Sequence, residues 1–165
     1  MHRIPRIIWL ARYIFLSLLS IKLPKHFICI GKPLLLIGFR RIEFQGRALL
    51  FPSSRFEVFK NGRLSIGNDV QIGQQCHITC AQSISIGSNV AIAGNSVITD
   101  ISHGTLPHTI PPLKRPWSIS GVTIEDNCFI GWGAVILPGT HLEKGCTVGA
   151  NAKVSGHHKI GSVVT

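Results

Sequence analysis

The sequence predicts an all-β protein built as a parallel β-helix, and a six-residue repeat carries this prediction. Aliphatic residues recur at every sixth position toward the C-terminus: Ile124, Ile130, Ile136, Leu142, Val148 and Val154. A small residue follows four positions after each of the first five: Cys128, Ala134, Thr140, Cys146 and Ala152. A helix repeats about every 3.6 residues and a strand about every 2, so neither produces this period. Short strands that alternate with tight turns around a shared core do produce it.

The same repeat continues upstream with one interruption. Ile66, Ile72, Ile78 and Ile84 lie six residues apart, and after a slip of two residues the series resumes at Ile86, Ile92 and Ile98. In several hexads the aliphatic residue is followed by glycine, as at Gly67, Gly73, Gly87, Gly131 and Gly149. Glycine tolerates the positive φ angles that tight corners require. We therefore expect one continuous β-helix domain over residues 26–165.

Residues 1–25 differ from the rest in charge and apolarity. The chain has a net charge of +10, and residues 1–63 hold 12 Lys and Arg against 2 Asp and Glu. Residues 7–21 are apolar apart from Arg12 and a few polar side chains, which is shorter than the roughly 20 residues of a membrane span. We predict an amphipathic helix on a membrane surface, with basic residues near anionic headgroups. A helix packed against protein and a true span are the alternatives.

The distribution of charge and the spacing of the cysteines bear on nucleic-acid binding and on disulfide formation. Nucleic-acid binding is not favoured, because the basic residues accompany an apolar helix instead of a polar face. The five cysteines include no CxxC pair, although Cys128 and Cys146 lie 18 residues apart and should stack on successive coils. We expect them to be reduced core residues of a cytoplasmic protein, with a disulfide as the alternative.

The stretch Val122–Gly139, preceded by Asp-x-x-His-Gly at residues 100–104, resembles the hexapeptide-repeat acyltransferases. That family has a left-handed parallel β-helix, and the resemblance covers about residues 28–156. The chain looks most like the O-acetyltransferases of bacterial surface-polysaccharide biosynthesis, which are similar to galactoside and maltose acetyltransferases. The resemblance implies transfer of acetyl from acetyl-CoA to a sugar hydroxyl in a capsule, lipopolysaccharide or exopolysaccharide precursor. It also implies a homotrimer and a sugar or lipid-linked glycan acceptor at the inner membrane face.

A loop at residues 99–121 interrupts the hexads and carries the candidate base. Long irregular excursions from a regular fold usually have a functional reason. The resemblance implies that His103 removes the proton from the acceptor hydroxyl, since a neutral imidazole with a usual pKa of about 6.5 suits that task. It leaves open whether Asp100 orients the imidazole or is only a turn residue. His108 is the second candidate base, with an acceptor contact or a structural role favoured.

The resemblance also implies positions for the two substrates. The pantetheine path of acetyl-CoA would be lined by Gly133, Ala134, Ala150 and Ala152, and its phosphates would meet Lys153 and Lys159. Lys153 on a solvated face is an equal alternative. The aromatic residue that packs on the acceptor sugar aligns with Phe129, and Trp132 is expected to line the site of an adjacent subunit. Relatives usually continue beyond the last hexad, whereas this chain stops at Thr165, so we expect an incomplete coenzyme A region.

Two other classes remain open. A γ-class carbonic anhydrase shares the β-helix and binds zinc through three histidines, for which His77, His103 and His108 are the candidates. The Asp-x-x-His-Gly context favours acyl transfer, so no metal is expected. The third hypothesis is a non-catalytic β-helix scaffold or membrane-recruitment module.

Overall fold

A computed structural model describes residues 7–8, 10–12, 14–15, 28–103 and 109–165, and it confirms the parallel β-helix. In these residues the strands form three parallel sheets of seven, six and six strands, here called sheets A, B and C. A separate two-stranded hairpin accompanies them. The chain visits A, B and C in turn, so each coil has an A–B, a B–C and a C–A corner.

The strands are numbered in chain order. Sheet A contains β1 (Ile28–Ile30), β4 (Ala48–Leu50), β7 (Val70–Ile72), β10 (Ala91–Ile92), β15 (Phe129–Ile130), β18 (Thr147–Val148) and β21 (Val163–Val164). Sheet B contains β2 (Leu35–Ile37), β5 (Arg55–Val58), β8 (His77–Cys80), β11 (Val97–Thr99), β16 (Val135–Ile136) and β19 (Lys153–Val154). Sheet C contains β3 (Ile42–Phe44), β6 (Arg63–Ile66), β9 (Ser83–Ile86), β14 (Val122–Ile124), β17 (His141–Leu142) and β20 (His157–His158). The hairpin is β12 (Ile101–His103) with β13 (Trp117–Ile119), and 3-10 turns span Phe39–Arg41 and Pro112–Lys114.

The six-residue repeat corresponds to one strand and one corner. Successive side chains of a strand point to opposite faces, so the aliphatic residue that ends each short strand points into the core. Ile130 pairs with Val148 in sheet A and Ile136 with Val154 in sheet B, and all four are buried. The small residues of the repeat are also buried, where the chain turns a corner: Cys128, Ala134, Thr140, Cys146 and Ala152. The core is therefore a stack of aliphatic layers that fills the inside of the coil.

The slip of two residues in the upstream repeat has a local cause. Ile84 and Ile86 lie two apart in β9, and both side chains point inward and are buried. Strands β8 and β9 have four residues each, whereas strands β15 to β21 have two. The B–C side of the earlier coils is therefore longer, and Ile66 pairs with Ile86 instead of with Ile84.

Four cysteines, Cys76, Cys80, Cys128 and Cys146, are free and buried, which confirms them as core residues. Burial raises the pKa of the Cys76 and Cys128 thiols to about 11. Burial, and after it the negative charge of Asp100, raises the pKa of Cys80 to about 12. Since the thiolate is the reactive form, these thiols are poor nucleophiles at neutral pH.

We therefore predict that thiol reagents do not react with these cysteines in the folded protein. A Cys29→Ser variant at pH 7 should show no rapid labelling by a disulfide reagent, and all four buried thiols should react once denaturant is added. Ellman absorbance with and without denaturant measures both. Rapid labelling of one thiol in the folded variant would contradict the prediction and identify a coil that opens.

The predicted N-terminal helix falls only partly within the described residues, and its remainder lies outside them. Residues 7–8, 10–12 and 14–15 are helical. The side chains of Ile7, Ile8 and Phe15 are 67%, 54% and 61% exposed. In the described part of the chain, no helix is long and apolar enough to cross a membrane.

Candidate active site

The excursion predicted at residues 99–121 projects from the B–C corner. The chain leaves sheet B after β11 and re-enters sheet C at β14. Its described residues form the antiparallel hairpin of β12 and β13, in which His103 pairs with Trp117. The candidate base therefore lies on a strand with a defined partner. His108 lies outside the described residues, so its role stays a prediction.

Three aromatic rings form a row along the B–C corner. The imidazole of His103 meets the Trp117 ring edge-on, with 5.9 Å between ring centroids. The Trp117 ring packs at 5.5 Å on Phe59, which lies at the B–C corner between β5 and β6. Trp117 remains 47% exposed. The hairpin is therefore fastened to the β-helix through tryptophan, and one part of that ring faces solvent beside His103.

His103 differs from the other described histidines in its hydrogen bonds. The others are all engaged: His77 with Thr79, His141 with Glu125, His157 with Glu143 and His158 with the carbonyl of Ser155. The side chain of His103 is exposed, and no described residue forms a hydrogen bond with its ring nitrogens. Within the described residues, His103 is thus the one histidine whose ring nitrogens are not engaged.

Asp100 has a structural position that corrects one expectation. Its carboxylate is fully buried and accepts three backbone N–H groups of the preceding coil: Ala81 at 2.8 Å, Gln82 at 2.7 Å and Ser83 at 2.9 Å. Because both oxygens are occupied by this turn, the expected orientation of the His103 imidazole by Asp100 does not occur in the structure. Asp100 lies where the chain leaves the coil, and its carboxylate points toward the B–C corner of the preceding coil.

The root of the excursion is held by backbone contacts. The carbonyl of Asp100 accepts the N–H of Ser120 at 2.9 Å, and the carbonyl of Ser120 accepts the N–H of Gly139 at 3.0 Å. The hydroxyl of Thr99 accepts the N–H of Ile101 at 3.1 Å. The two ends of the excursion are thus tied to each other and to the following coil, so the hairpin starts from a fixed base.

Of the residues expected to line the pantetheine path, two lie at the surface of the A–B corner. Ala150 is exposed, and Gly133 has a φ of +68°. A Cβ on Gly133 would lie 2.3 Å from the side-chain oxygen of Asn151, and the equivalent positions of the adjacent coils, Asn95 and Asn151, also have positive φ. Successive A–B corners therefore stack closely there.

Ala134 and Ala152 correct the expectation for the other two. Their side chains are 0% and 8% exposed and belong to the core. Their carbonyls accept the N–H groups of Val97 and Val135, and their own N–H groups bond within the corner. They contribute to the shape of the corner, but neither their side chains nor these backbone groups are available to a ligand.

The remaining predicted residues are distributed around the coil. Lys153 is exposed on the outer face of sheet B, whereas Lys159 is exposed at the C–A corner. Phe129 is 46% exposed on sheet A, and Trp132 is 45% exposed at the A–B corner, where its ring covers Gly94. The two lysines are thus on different sides, and in one chain neither aromatic residue lies at the B–C corner with His103.

A single chain therefore separates the two halves of the predicted site. The hairpin with His103 is at the B–C corner, and Gly133 and Ala150 are at the A–B corner. These corners are the two edges of sheet B. The sequence did not predict a role for Trp117. This residue lies near the end of the excursion, and its ring contacts the imidazole of His103.

His141 and His157, on the last two strands of sheet C, connect the last coils to each other. His141 and His157 stack with ring centroids 4.8 Å apart, and each bonds a glutamate at 2.8 Å. The N–H of Ile160 donates to Glu143, and this bond, followed by that of His157, lowers the pKa of the Glu143 carboxyl. These contacts tie the last coil to the one before it.

Comparison with known proteins agrees with this architecture. Residues 63–100 and 121–155 match the family described as the hexapeptide repeat of succinyl-transferase, and the unmatched gap coincides with the excursion. A variant of AntD, an N-acyltransferase from Bacillus cereus solved with dTDP and coenzyme A, superposes with a TM-score of 0.72 at 15% identity, covering 84% of this chain and 75% of that one. At that identity the likeness concerns the fold.

Relatives that are similar in sequence include an acetyltransferase and a carbonic anhydrase. A protein named as a lipopolysaccharide biosynthesis O-acetyl transferase, WbbJ of Escherichia coli K12, is 34% identical over 109 residues, covering 62% of this chain and 56% of its own length. Gamma carbonic anhydrase 2 of Arabidopsis thaliana mitochondria is 33% identical over 120 residues, covering 64% and 43%. The chain thus spans about half the length of these relatives.

The repeat and the coiled parallel sheets define a hexapeptide-repeat β-helix protein. Residues 63–100 and 121–155 carry the repeat of that family, and the hairpin is inserted between these two matched segments.

Proposed function

We propose that the protein is an O-acetyltransferase that moves an acetyl group from acetyl-CoA to a sugar hydroxyl in bacterial surface-polysaccharide biosynthesis. The observation that carries the proposal is the exposed imidazole of His103, whose ring nitrogens have no hydrogen-bond partner in the described part of the chain. The names of the relatives agree with it, since WbbJ is named as an O-acetyl transferase and AntD as an N-acyltransferase.

His103 acts as the general base. Its neutral imidazole takes the proton of the acceptor hydroxyl as the oxygen attacks the thioester carbonyl. The new C–O bond forms, the C–S bond breaks, and the coenzyme A sulfur leaves with the proton that the imidazolium returns. No covalent enzyme intermediate is needed, and the buried cysteines described above are unsuited to forming one.

The complete site is shared between subunits of a homotrimer. One chain places His103 and the A–B corner at opposite edges of sheet B. A neighbouring copy that packs against this sheet brings its own A–B corner toward the hairpin. Gly133 and Ala150 of that copy then line the acetyl-CoA groove, with Lys153 near the phosphates. Lys159, on the C–A corner, lies farther from this groove.

The acceptor sugar packs beside His103 on Trp117. Trp117 is half exposed and its ring contacts the imidazole, and the apolar face of an aromatic ring offers a packing surface to the apolar side of a sugar. Phe129 and Trp132 are the aromatic residues that a neighbouring copy presents. The sugar is carried by a lipid or nucleotide at the cytoplasmic membrane face, where the exposed apolar side chains of Ile7, Ile8 and Phe15 contact the bilayer surface.

A zinc enzyme of the γ-carbonic-anhydrase kind is the second candidate, because one relative carries that name. In the described residues no three His, Cys, Asp or Glu side chains converge as a metal site. His77 lies on sheet B and bonds Thr79, whereas His103 lies on the hairpin. Zinc content of the purified protein, together with CO₂ hydration, separates this candidate from acyl transfer.

The experiment that tests the proposal is thiol release from acetyl-CoA. Release is expected to depend on a sugar acceptor, and the product should carry one added acetyl group by mass spectrometry. The acceptors are a panel of free, nucleotide-linked and lipid-linked sugars. If the folded protein binds coenzyme A but none of these acceptors causes thiol release, the proposed activity is contradicted and the hypothesis of a non-catalytic scaffold is favoured.

A further inference from the structure

A second surface feature lies at the N-terminal end of the same B–C corner. A groove of about 600 Å³ runs from the corners of the first two coils onto sheet C. Four basic residues line it, Arg40, Arg41, Lys60 and Arg63, against one acidic residue, Glu43. We call this the basic groove. None of the roles proposed above uses it.

Two cations of the basic groove, Lys60 and Arg63, are less neutralised than arginines of the neighbouring strands. Elsewhere in the first coils arginine meets a carboxylate, as Arg47 does with Asp69 and Arg55 with Glu57. In the groove Lys60 and Arg63 are exposed, and the described residues offer neither of them an ion pair. Arg41 donates to the carbonyl of Val58, which leaves its charge uncompensated by that contact. A concave surface of this kind concentrates positive potential and attracts anions.

The basic groove is next to the candidate active site. Lys60 directly follows Phe59, the residue on which Trp117 packs, and Trp117 in turn contacts His103. With centroid distances of 5.5 and 5.9 Å along this row, the nearer end of the groove is within roughly 15 Å of the imidazole. A sugar attached to a diphosphate can bridge that separation, with the sugar at Trp117 and the phosphates at Lys60 and Arg63.

We propose that the basic groove binds the diphosphate of the acceptor, so that the enzyme acts on a sugar carried by a nucleotide or lipid diphosphate and disfavours a free sugar. This inference rests on the proposed transferase function. Guanidinium groups pair with two phosphate oxygens at once, and lysine adds a mobile point charge. Arg63 and Lys60 provide these two kinds of contact, and Arg41 extends the positive surface.

The test compares two double variants that lose the same charge. Lys60→Gln with Arg63→Gln removes the two cations of the groove. Lys32→Gln with Lys144→Gln removes two exposed cations that lie at other corners. Titration of inorganic pyrophosphate into the full chain by calorimetry is expected to show a Kd about tenfold or more higher for the groove variant and little changed for the control. Equal weakening in both variants, or no pyrophosphate binding by the native protein, would overturn the proposal.

Two further arms separate this inference from a membrane contact and from the proposed function. In the transfer assay the groove variant should raise KM for a sugar diphosphate about tenfold at unchanged kcat, with transfer to a free sugar unaffected. Sedimentation with phosphatidylglycerol vesicles should be equal for the two variants; loss in the groove variant alone, without a change in pyrophosphate binding, would instead make the groove a membrane contact. Pyrophosphate binding can be measured without turnover. If that binding depends on the groove but the protein shows no transferase activity, the proposed function is contradicted and the binding role of the groove is not.

Discussion

Replacing His103 with alanine is expected to lower kcat for acetyl transfer by between about 10² and 10⁴. The substitution removes the exposed imidazole that accepts the hydroxyl proton, while the backbone pairing of β12 with β13 is retained. KM for acetyl-CoA should change little, because the proposed acetyl-CoA groove is lined by Gly133 and Ala150 of the neighbouring copy and makes no binding contact with the imidazole. The measurement is thiol release at saturating acetyl-CoA and acceptor.

The control for this variant is His157→Ala. His157 is an exposed histidine on sheet C, bonded to Glu143 and remote from the hairpin. It should retain native kcat. A His103→Ala protein with native circular dichroism and unchanged transfer would exclude His103 as the base, and a loss on His108→Ala would then move the assignment to His108.

The largest effect on stability is expected at Asp100. Replacement by alanine should lower the free energy of unfolding by about 3–5 kcal/mol. The variant leaves three backbone N–H groups of residues 81–83 without their acceptor at a corner where the carboxylate is fully buried. Relaxation of the turn and entry of water recover part of the loss. Denaturant titration followed by circular dichroism measures it.

Two variants make the Asp100 result specific. Asp126→Ala deletes an exposed carboxylate that accepts a single N–H, from Ser88, and should cost about 1 kcal/mol or less. Asp100→Asn should fall between the two, since its amide nitrogen cannot accept from the corner. If Asp100 instead acts on His103, the Asn variant will shift the pH profile of kcat; an unchanged profile with lowered stability supports its role as a corner cap.

The fold could be predicted from the sequence because the repeat is a direct consequence of the architecture. Each of Ile124, Ile130 and Ile136 ends a strand on a different sheet, so a side chain every six residues must be inward and apolar. The interruption of the repeat also located the excursion correctly, because residues outside the coil are free of that constraint.

The site was only partly predictable, for a reason visible in particular residues. Ala134 and Ala152 belong to the small positions of the repeat, and that periodicity already indicated the core where the structure places them. Asp100 carried no such signal, since its three donors belong to a turn about 18 residues earlier. The contact of Trp117 with Phe59 likewise joins residues far apart in the chain.

The sequence by itself determined the coil, its core ladder, its buried cysteines and the position of the excursion, because these depend on a local period. Only the tertiary structure decided what the excursion does on leaving the coil. In that structure β12 pairs with β13, and the ring nitrogens of His103 have no hydrogen-bond partner among the described residues. The Asp100 carboxylate binds the B–C corner of the preceding coil, and Trp117, Phe59 and the basic groove lie along one edge of the β-helix. These relations arise between coils, where the stacking of strands about 4.8 Å apart brings distant residues together.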